Sequence, residues 1–231
     1  MSSIEEVLRR TKTITFDCYG TLIDWRAGLS RSCAELFGPS VTDRTDELFN
    51  SYVQIEAEVE AQPYQPYRQV LSTVAQRLAL RFGFGLPPER ADLLAEMLPE
   101  WLPFTDANQA LVRLKKRYRL GVLSNIDRDL FAGTARHFDA AFDFVVTAED
   151  VEAYKPAHPH FERLLSAHSK SDEVLHVAQS LFHDGVPTGR LGIAYVWINR
   201  YKDANETTVR PLATYPDLAR FAQIACKDAD D

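Results

Sequence analysis

The chain has 231 residues, 45% of them apolar and 26% charged, and a net charge of −7. This is the composition of a globular protein with one large core, or a core carrying an insertion, and it excludes the fibrous and low-complexity classes. The acidic balance argues against nucleic acid or an anionic membrane as partner, and no apolar run reaches the length of a membrane span.

Three widely spaced cysteines, Cys18, Cys33 and Cys226, form no C-x-x-C pair. They fit a reducing cytoplasm better than a disulfide scaffold or a zinc site. The opening Met1-Ser-Ser-Ile-Glu-Glu6 lacks a basic region followed by an apolar one, so no secretory signal is expected.

The first predicted element is a strand over residues 13–17, which delivers Asp17 to a turn at Gly20. Cys18, its neighbour, belongs on the opposite face and is expected to be packing. From about residue 27 to 103 no strand is predicted. Two apolar stripes at helical spacing, Leu48-Tyr52-Ile55-Val59 and Leu71-Val74-Leu78-Phe82, mark amphipathic helices there, punctuated by prolines. A helix is predicted over 108–118 with a basic end, then a strand over 120–124 and another over 142–147. A helix over 160–168, a strand over 174–179 and a strand over 194–199 follow. The tail 227–231 is expected to fray.

The later strands are dense in apolar residues without strict alternation, as strands covered on both faces should be. Alternation with helices implies right-handed crossovers and a parallel sheet. In such a sheet the carboxyl ends of the strands form the ligand-binding edge. Asp17, Ser124-Asn125, Lys155 and Gln179-Ser180 with Asp184 each follow a strand and should meet there. A single Ser or Asp at such a place is as easily a helix cap. Recurrence after four strands is not explained by capping. A lysine beside two carboxylates keeps a nucleophile ionised.

These segments resemble the four motifs of the haloacid dehalogenase superfamily, in order: Phe16-Asp-Cys-Tyr-Gly-Thr-Leu22, Leu123-Ser-Asn125, Tyr154-Lys-Pro156 and Val177-Ala-Gln-Ser-Leu-Phe-His-Asp184. The resemblance implies an α/β fold with a Rossmann-like, doubly wound parallel sheet as core, residues 1–26 and 104–231. It implies a helical cap over 27–103 and a hydrolase whose Asp17 forms a covalent intermediate. Phosphatases of the superfamily carry a second Asp two residues after the nucleophile, where this chain has Tyr19. Their fourth motif supplies a Mg²⁺-binding Asp where this chain has Gln179. Asp-x-Tyr-Gly-Thr is similar to the type II (S)-2-haloacid dehalogenases, which use no metal.

The expectation is therefore cleavage of the carbon–halogen bond of a small 2-haloacid through an aspartyl ester, without a cofactor. The alternatives are a Mg²⁺-dependent phosphatase and a hydrolase of another leaving group alpha to a carboxylate. By resemblance Asp17 is the nucleophile, Lys155 keeps it ionised, and Asp184 activates or positions water. Thr21 and Ser124 should hydrogen-bond the Asp17 carboxylate, Asn125 should orient the leaving group, and Tyr19 and Ser180 complete the substrate-binding set. The implied partner is a small carboxylate, with neither nucleic acid nor membrane, in the cytoplasm; homodimers are common in the family.

Three departures bear on the substrate. The subfamily clamps the substrate carboxylate with a cap Arg, but the corresponding helix near 48–60 holds Glu56, Glu58 and Glu60 and no Arg. Arg26, Arg31 and Arg68 are the substitutes at hand. Phe161 stands where that subfamily has Tyr, and His183 is an extra residue between Ser180 and Asp184. His158 and His160 are expected on a surface turn, because no third metal ligand accompanies them. Trp25, Trp101 and Trp197 are expected in the core or at the cap interface.

Overall fold

A computed structural model describes residues 3–167 and 170–227. The expected helix end at His168 and the tail from 228 onward lie outside these residues. Ser3 and Glu6 form a capping box on α1 (Ile4–Arg10), which leads into β1 (Thr13–Phe16). Helices α2 (Trp25–Phe37), α3 (Thr45–Glu60), α4 (Tyr67–Phe82) and α5 (Leu93–Met97) follow without an intervening strand. The chain continues through α6 (Ala107–Lys115), β2 (Arg119–Ser124), α7 (Arg128–Ala135), β3 (Phe144–Thr147), α8 (Ala148–Val151) and α9 (Pro159–Ala167). It closes with β4 (Val174–Ala178), α10 (Val186–Leu191), β5 (Ala194–Ile198), β6 (Ala213–Tyr215) and α11 (Leu218–Ala225).

The strands form one parallel sheet in the order β3-β2-β1-β4-β5-β6. This is a doubly wound α/β sheet whose order reverses between β1 and β4, the crevice where such folds bind ligands. Phe16 pairs with both Val122 and Val177, so the carboxyl ends of β1, β2 and β4 lie level. The five predicted strands are present. The sixth, β6, was not foreseen: it has three residues, lies at the sheet edge and is only half-buried, so no apolar run marks it.

Both predicted helical stripes point inward. Leu48, Tyr52, Ile55 and Val59 on α3, and Leu71, Val74, Leu78 and Phe82 on α4, are all buried. Each large apolar side chain so buried contributes about 1.5–3 kcal/mol. The two helices pack on each other, and α2 packs on α5. The two chain passages between this helical segment and the sheet run side by side: Asp24 N donates to Leu102 O at 3.0 Å and Phe104 N to Leu22 O at 2.9 Å. Helix α4 has no cap of its own, since Pro66 precedes it. Asp127, in the loop after β2, supplies one instead, accepting from the backbone N–H of Tyr67 at 2.8 Å and of Arg68 at 2.9 Å. Among the described residues no helix is long and apolar enough to cross a membrane.

Candidate active site

Asp17 follows β1 directly, and the chain then turns at Gly20, whose φ of 96° suits glycine. A Cβ there would also lie 3.2 Å from the Trp25 ring. The turn brings Thr21 back under Asp17, so that Thr21 Oγ1 donates to Asp17 Oδ2 at 2.9 Å. Lys155, in the loop after α8, reaches Asp17 Oδ1 at 2.9 Å, Asp184 Oδ1 at 2.7 Å and the Leu123 carbonyl at 2.8 Å. An ammonium has three hydrogens, and all three are used.

Burial pushes the Asp17 carboxyl above its ordinary value, the Lys155 ammonium pulls it back, and Asp184 pushes it up again. Burial works against the charge on Lys155, but Asp17 and Asp184 outweigh it and hold its pKa above the usual lysine value. Asp184 is fully buried, yet Lys155 and His176 more than reverse the effect of burial and hold its carboxyl well below the usual range. His176 bridges inward, with Nε2 3.0 Å from Asp184 Oδ1 and Nδ1 2.8 Å from Thr15 Oγ1. Asp184 Oδ2 is buried and has no protein partner.

Asp184 owes its position to a π-helical turn, Leu181–Gly185, in which Gly185 N reaches Ser180 O at 3.2 Å. The residue His183 adds between Ser180 and Asp184 is absorbed by that wider turn. Such turns are frequent at functional sites. Ser180 Oγ accepts from His183 N at 3.0 Å and lies 3.2 Å from its Nδ1, so it caps the turn while lining the cavity.

Asp17, Lys155 and Asp184 open into a cavity of about 230 Å³. Ser124 and Asn125 line it too, with roles that differ from expectation. Ser124 uses its carbonyl, which lies 3.2 Å from His160 Nε2. A Ser124 hydroxyl bond to Asp17 is not among the hydrogen bonds of the described residues. Asn125 braces the lysine loop: Lys155 N donates to its Oδ1 at 2.7 Å, and its Nδ2 donates to Lys155 O at 3.1 Å. Tyr19 lines the cavity with its ring, while its hydroxyl pairs with Thr134 Oγ1 at 2.7 Å.

None of the three candidate arginines reaches the cavity. Arg26 lies over the Tyr201 ring at 3.9 Å, Arg31 is exposed, and Arg68 pairs with Asp129. Two glutamates of α3 do reach it. Glu56 and Glu60 line the cavity and Glu58 faces Arg77 outside. Tyr52, Glu56 and Glu60 lie four residues apart on α3, a spacing that puts them on one face. The apolar stripe assigned Tyr52 to packing and concealed that face. One further expectation fails. His160 is fully buried and not on a surface turn, because it closes onto the Ser124 carbonyl. Trp25 and Trp101 are cavity walls as well as packing residues, and His183 joins them.

A family model described as haloacid dehalogenase-like hydrolase matches residues 11–178. The chain belongs to that family. Among curated proteins no sequence matches. The fold is similar to that of the L-2-haloacid dehalogenase of Xanthobacter autotrophicus, at 17% identity over 93% of this chain and 98% of that one, with a TM-score of 0.82. It is also similar to a defluorinating L-2-haloacid dehalogenase, at 19% identity over 93% and 95% of the two chains and a TM-score of 0.77. A third similar fold is that of YfnB from Bacillus subtilis, solved bound to magnesium, at 16% identity over 94% and 99% and a TM-score of 0.76.

Proposed function

We propose that this haloacid dehalogenase-like hydrolase displaces halide from an sp³ carbon of a small molecule by way of an aspartyl ester on Asp17. The observation that carries the reading is the placement of Lys155 Nζ between Asp17 and Asp184, with Asp17 at the mouth of a small cavity. An Asp17 oxygen attacks the carbon and the halide leaves with the bonding pair, needing no proton. Lys155 and Thr21 hold the carboxylate in its attacking orientation. Water then attacks the Asp17 carbonyl carbon, restoring the carboxylate and releasing an alcohol and a proton. Asp184 Oδ2, buried without a protein partner, is the acceptor that holds this water. Its low pKa suits it to orienting the water rather than retaining the proton.

The remaining residues have supporting roles in this reading. Asn125 fixes the Lys155 loop, Ser180 fixes the turn carrying Asp184, and Ser124 and Tyr19 shape the wall near the reacting carbon. Residues 27–103 act as the cap that excludes bulk water. A 2-haloacid, or a relative with another leaving group alpha to a carboxylate, is the substrate class the resemblance implies, but no arginine among the described residues reaches the cavity to clamp its carboxylate.

A Mg²⁺-dependent phosphatase is the competing reading, and the donor set does not fit it. The Tyr19 hydroxyl is turned to Thr134, and Gln179 sends its side-chain amide to Asp203 at 3.1 Å. Asp17 and Asp184 already share a cation, Lys155, where a metal would want oxygen ligands. A halide-release screen over short 2-haloacids tests the proposal, combined with one turnover in ¹⁸O-water under excess enzyme. Unlabelled product on that turnover is expected, since its new oxygen comes from Asp17. Labelled product overturns the covalent route.

A further inference from the structure

The carboxylate clamp expected by resemblance is replaced by its opposite. Four carboxylates, on Asp17, Asp184, Glu56 and Glu60, line the cavity, against the single ammonium of Lys155. That ammonium has no hydrogen left for a ligand. Among the described residues no Arg or second Lys lines the cavity. Among the described residues, neither Glu56 nor Glu60 pairs with a basic side chain. Glu56 is held by the hydroxyls of Tyr52, at 2.8 Å, and Tyr67, at 2.5 Å. Glu60 is held only by Asn125 Nδ2 at 3.5 Å, which leaves most of its accepting capacity open.

The walls above these glutamates are aromatic: Trp25, Tyr52, Tyr67 and Trp101. An aromatic face attracts a cation through its ring quadrupole, most strongly where the cation is shielded from water. Carboxylates and aromatic faces together complement an ammonium and repel a carboxylate. Asp184, fully buried and lining the same cavity, has in Oδ2 an acceptor with no protein partner, open to a donor such as water from outside the protein.

We propose that the substrate carries an ammonium group, received by Glu60 and Glu56 beneath the aromatic wall while its reacting carbon faces Asp17. This names the substrate class of the site and rests on the displacement reading for the position of the carbon. Burial raises the pKa of both glutamates, the charge of Glu56 raises that of Glu60 further and Lys155 pulls it back, so an ammonium bound against them would favour their ionised form and lower both. The cavity volume limits the substrate to a compact aminoalkyl compound, with or without a carboxylate at its far end.

Calorimetric titration of the full chain with n-propylammonium, 1-propanol and propionate compares one shape in three charge states. Propylammonium should bind roughly tenfold or more tighter than propionate, the scale of one charge-assisted hydrogen bond, with propanol between them. Glu60→Gln should remove most of that preference and Glu56→Gln part of it. Tighter binding of propionate by the wild-type chain overturns the proposal, whether or not the variants fold. So does cation binding that both substitutions leave unchanged. The aspartyl ester is assayed separately by ¹⁸O incorporation. A chain that forms the ester yet prefers propionate refutes the ammonium proposal alone. A chain that prefers propylammonium but yields labelled product on the first turnover refutes the displacement reading alone.

Discussion

The backbone N–H of Gln179 donates to Thr21 Oγ1 at 3.0 Å, and the same oxygen donates its own proton to Asp17 Oδ2 at 2.9 Å. A hydroxyl that must accept from the amide has its donor committed to the carboxylate, so the lone pairs of Asp17 are oriented by the end of β4. Gln179 therefore serves the site with its main chain, while its side chain turns away to Asp203.

Turnover should accordingly be indifferent to divalent metal. Halide release measured in EDTA and then in excess Mg²⁺ should agree within a factor of about two, since neither Tyr19 nor Gln179 offers a carboxylate to a hard cation. Activity abolished by EDTA and restored by Mg²⁺ would return the phosphatase reading.

Replacing Lys155 with Met should be severe for the fold as well as for turnover. It leaves Asp17 and the fully buried Asp184 facing each other without a counter-ion. Removing one partner of a buried pair costs about 3–5 kcal/mol. Urea melts at neutral pH should show that loss. The deficit should shrink as pH falls, because the folded variant takes up a proton on one carboxyl more readily than the unfolded chain does. A loss independent of pH would mean that the lysine matters only for packing.

Gly28 on α2 tests the aromatic wall. A Cβ at this position would lie 2.3 Å from the Trp101 ring. Alanine gains about 1 kcal/mol in helix propensity, but overpacking costs about 1–3 kcal/mol. Gly28→Ala should therefore lower Tm and, by displacing Trp101 from the cavity and from its 3.0 Å bond to Ser32 Oγ, raise KM. A variant more stable than the wild type would show that the wall yields freely.

His160 should leave a signature in acid. Burial, then the Lys155 charge, pushes its pKa down from 6.5 to about 3. The folded chain holds this imidazole neutral while the unfolded chain protonates it below 6.5, so its contribution is present above that pH and lost progressively toward 3. Near pH 5 the loss is about 2 kcal/mol. His160→Gln should flatten the stability profile between these limits relative to the wild type, measured by denaturant titration at several pH values. Parallel profiles would place the proton elsewhere.

Residues whose position is set by their own strand were legible in the sequence. Asp17 and Ser124 lie at the ends of apolar runs dense enough to be strands under any packing, while Asp184 comes one wide turn beyond such a run and Lys155 sits in a loop beside the sheet's binding edge. What was illegible depends on contacts between distant segments. The Pro-rich neighbourhood of His160 gives no sign that the ring turns inward to the Ser124 carbonyl. On α3 the same turn of helix carries Val59 into the core and Glu60 into the cavity, and only the position of the sheet edge decides which face is which. The Tyr19 hydroxyl carries no local signal of its partner, Thr134, for the same reason.

Asp127 ties one wall of the cavity to the loop after β2. The Tyr67 wall, held also by Glu56 and the Tyr154 ring, is tied down by the bonds that two backbone amides in the first turn of α4 make to this carboxylate. Parting them leaves the amides to water at a cost of about 0.5–2 kcal/mol. Admission and discharge would then be timed by unwinding at one helix tip, and amide exchange at Tyr67 and Arg68 should run faster than in the middle of α4 and slow when ligand fills the cavity.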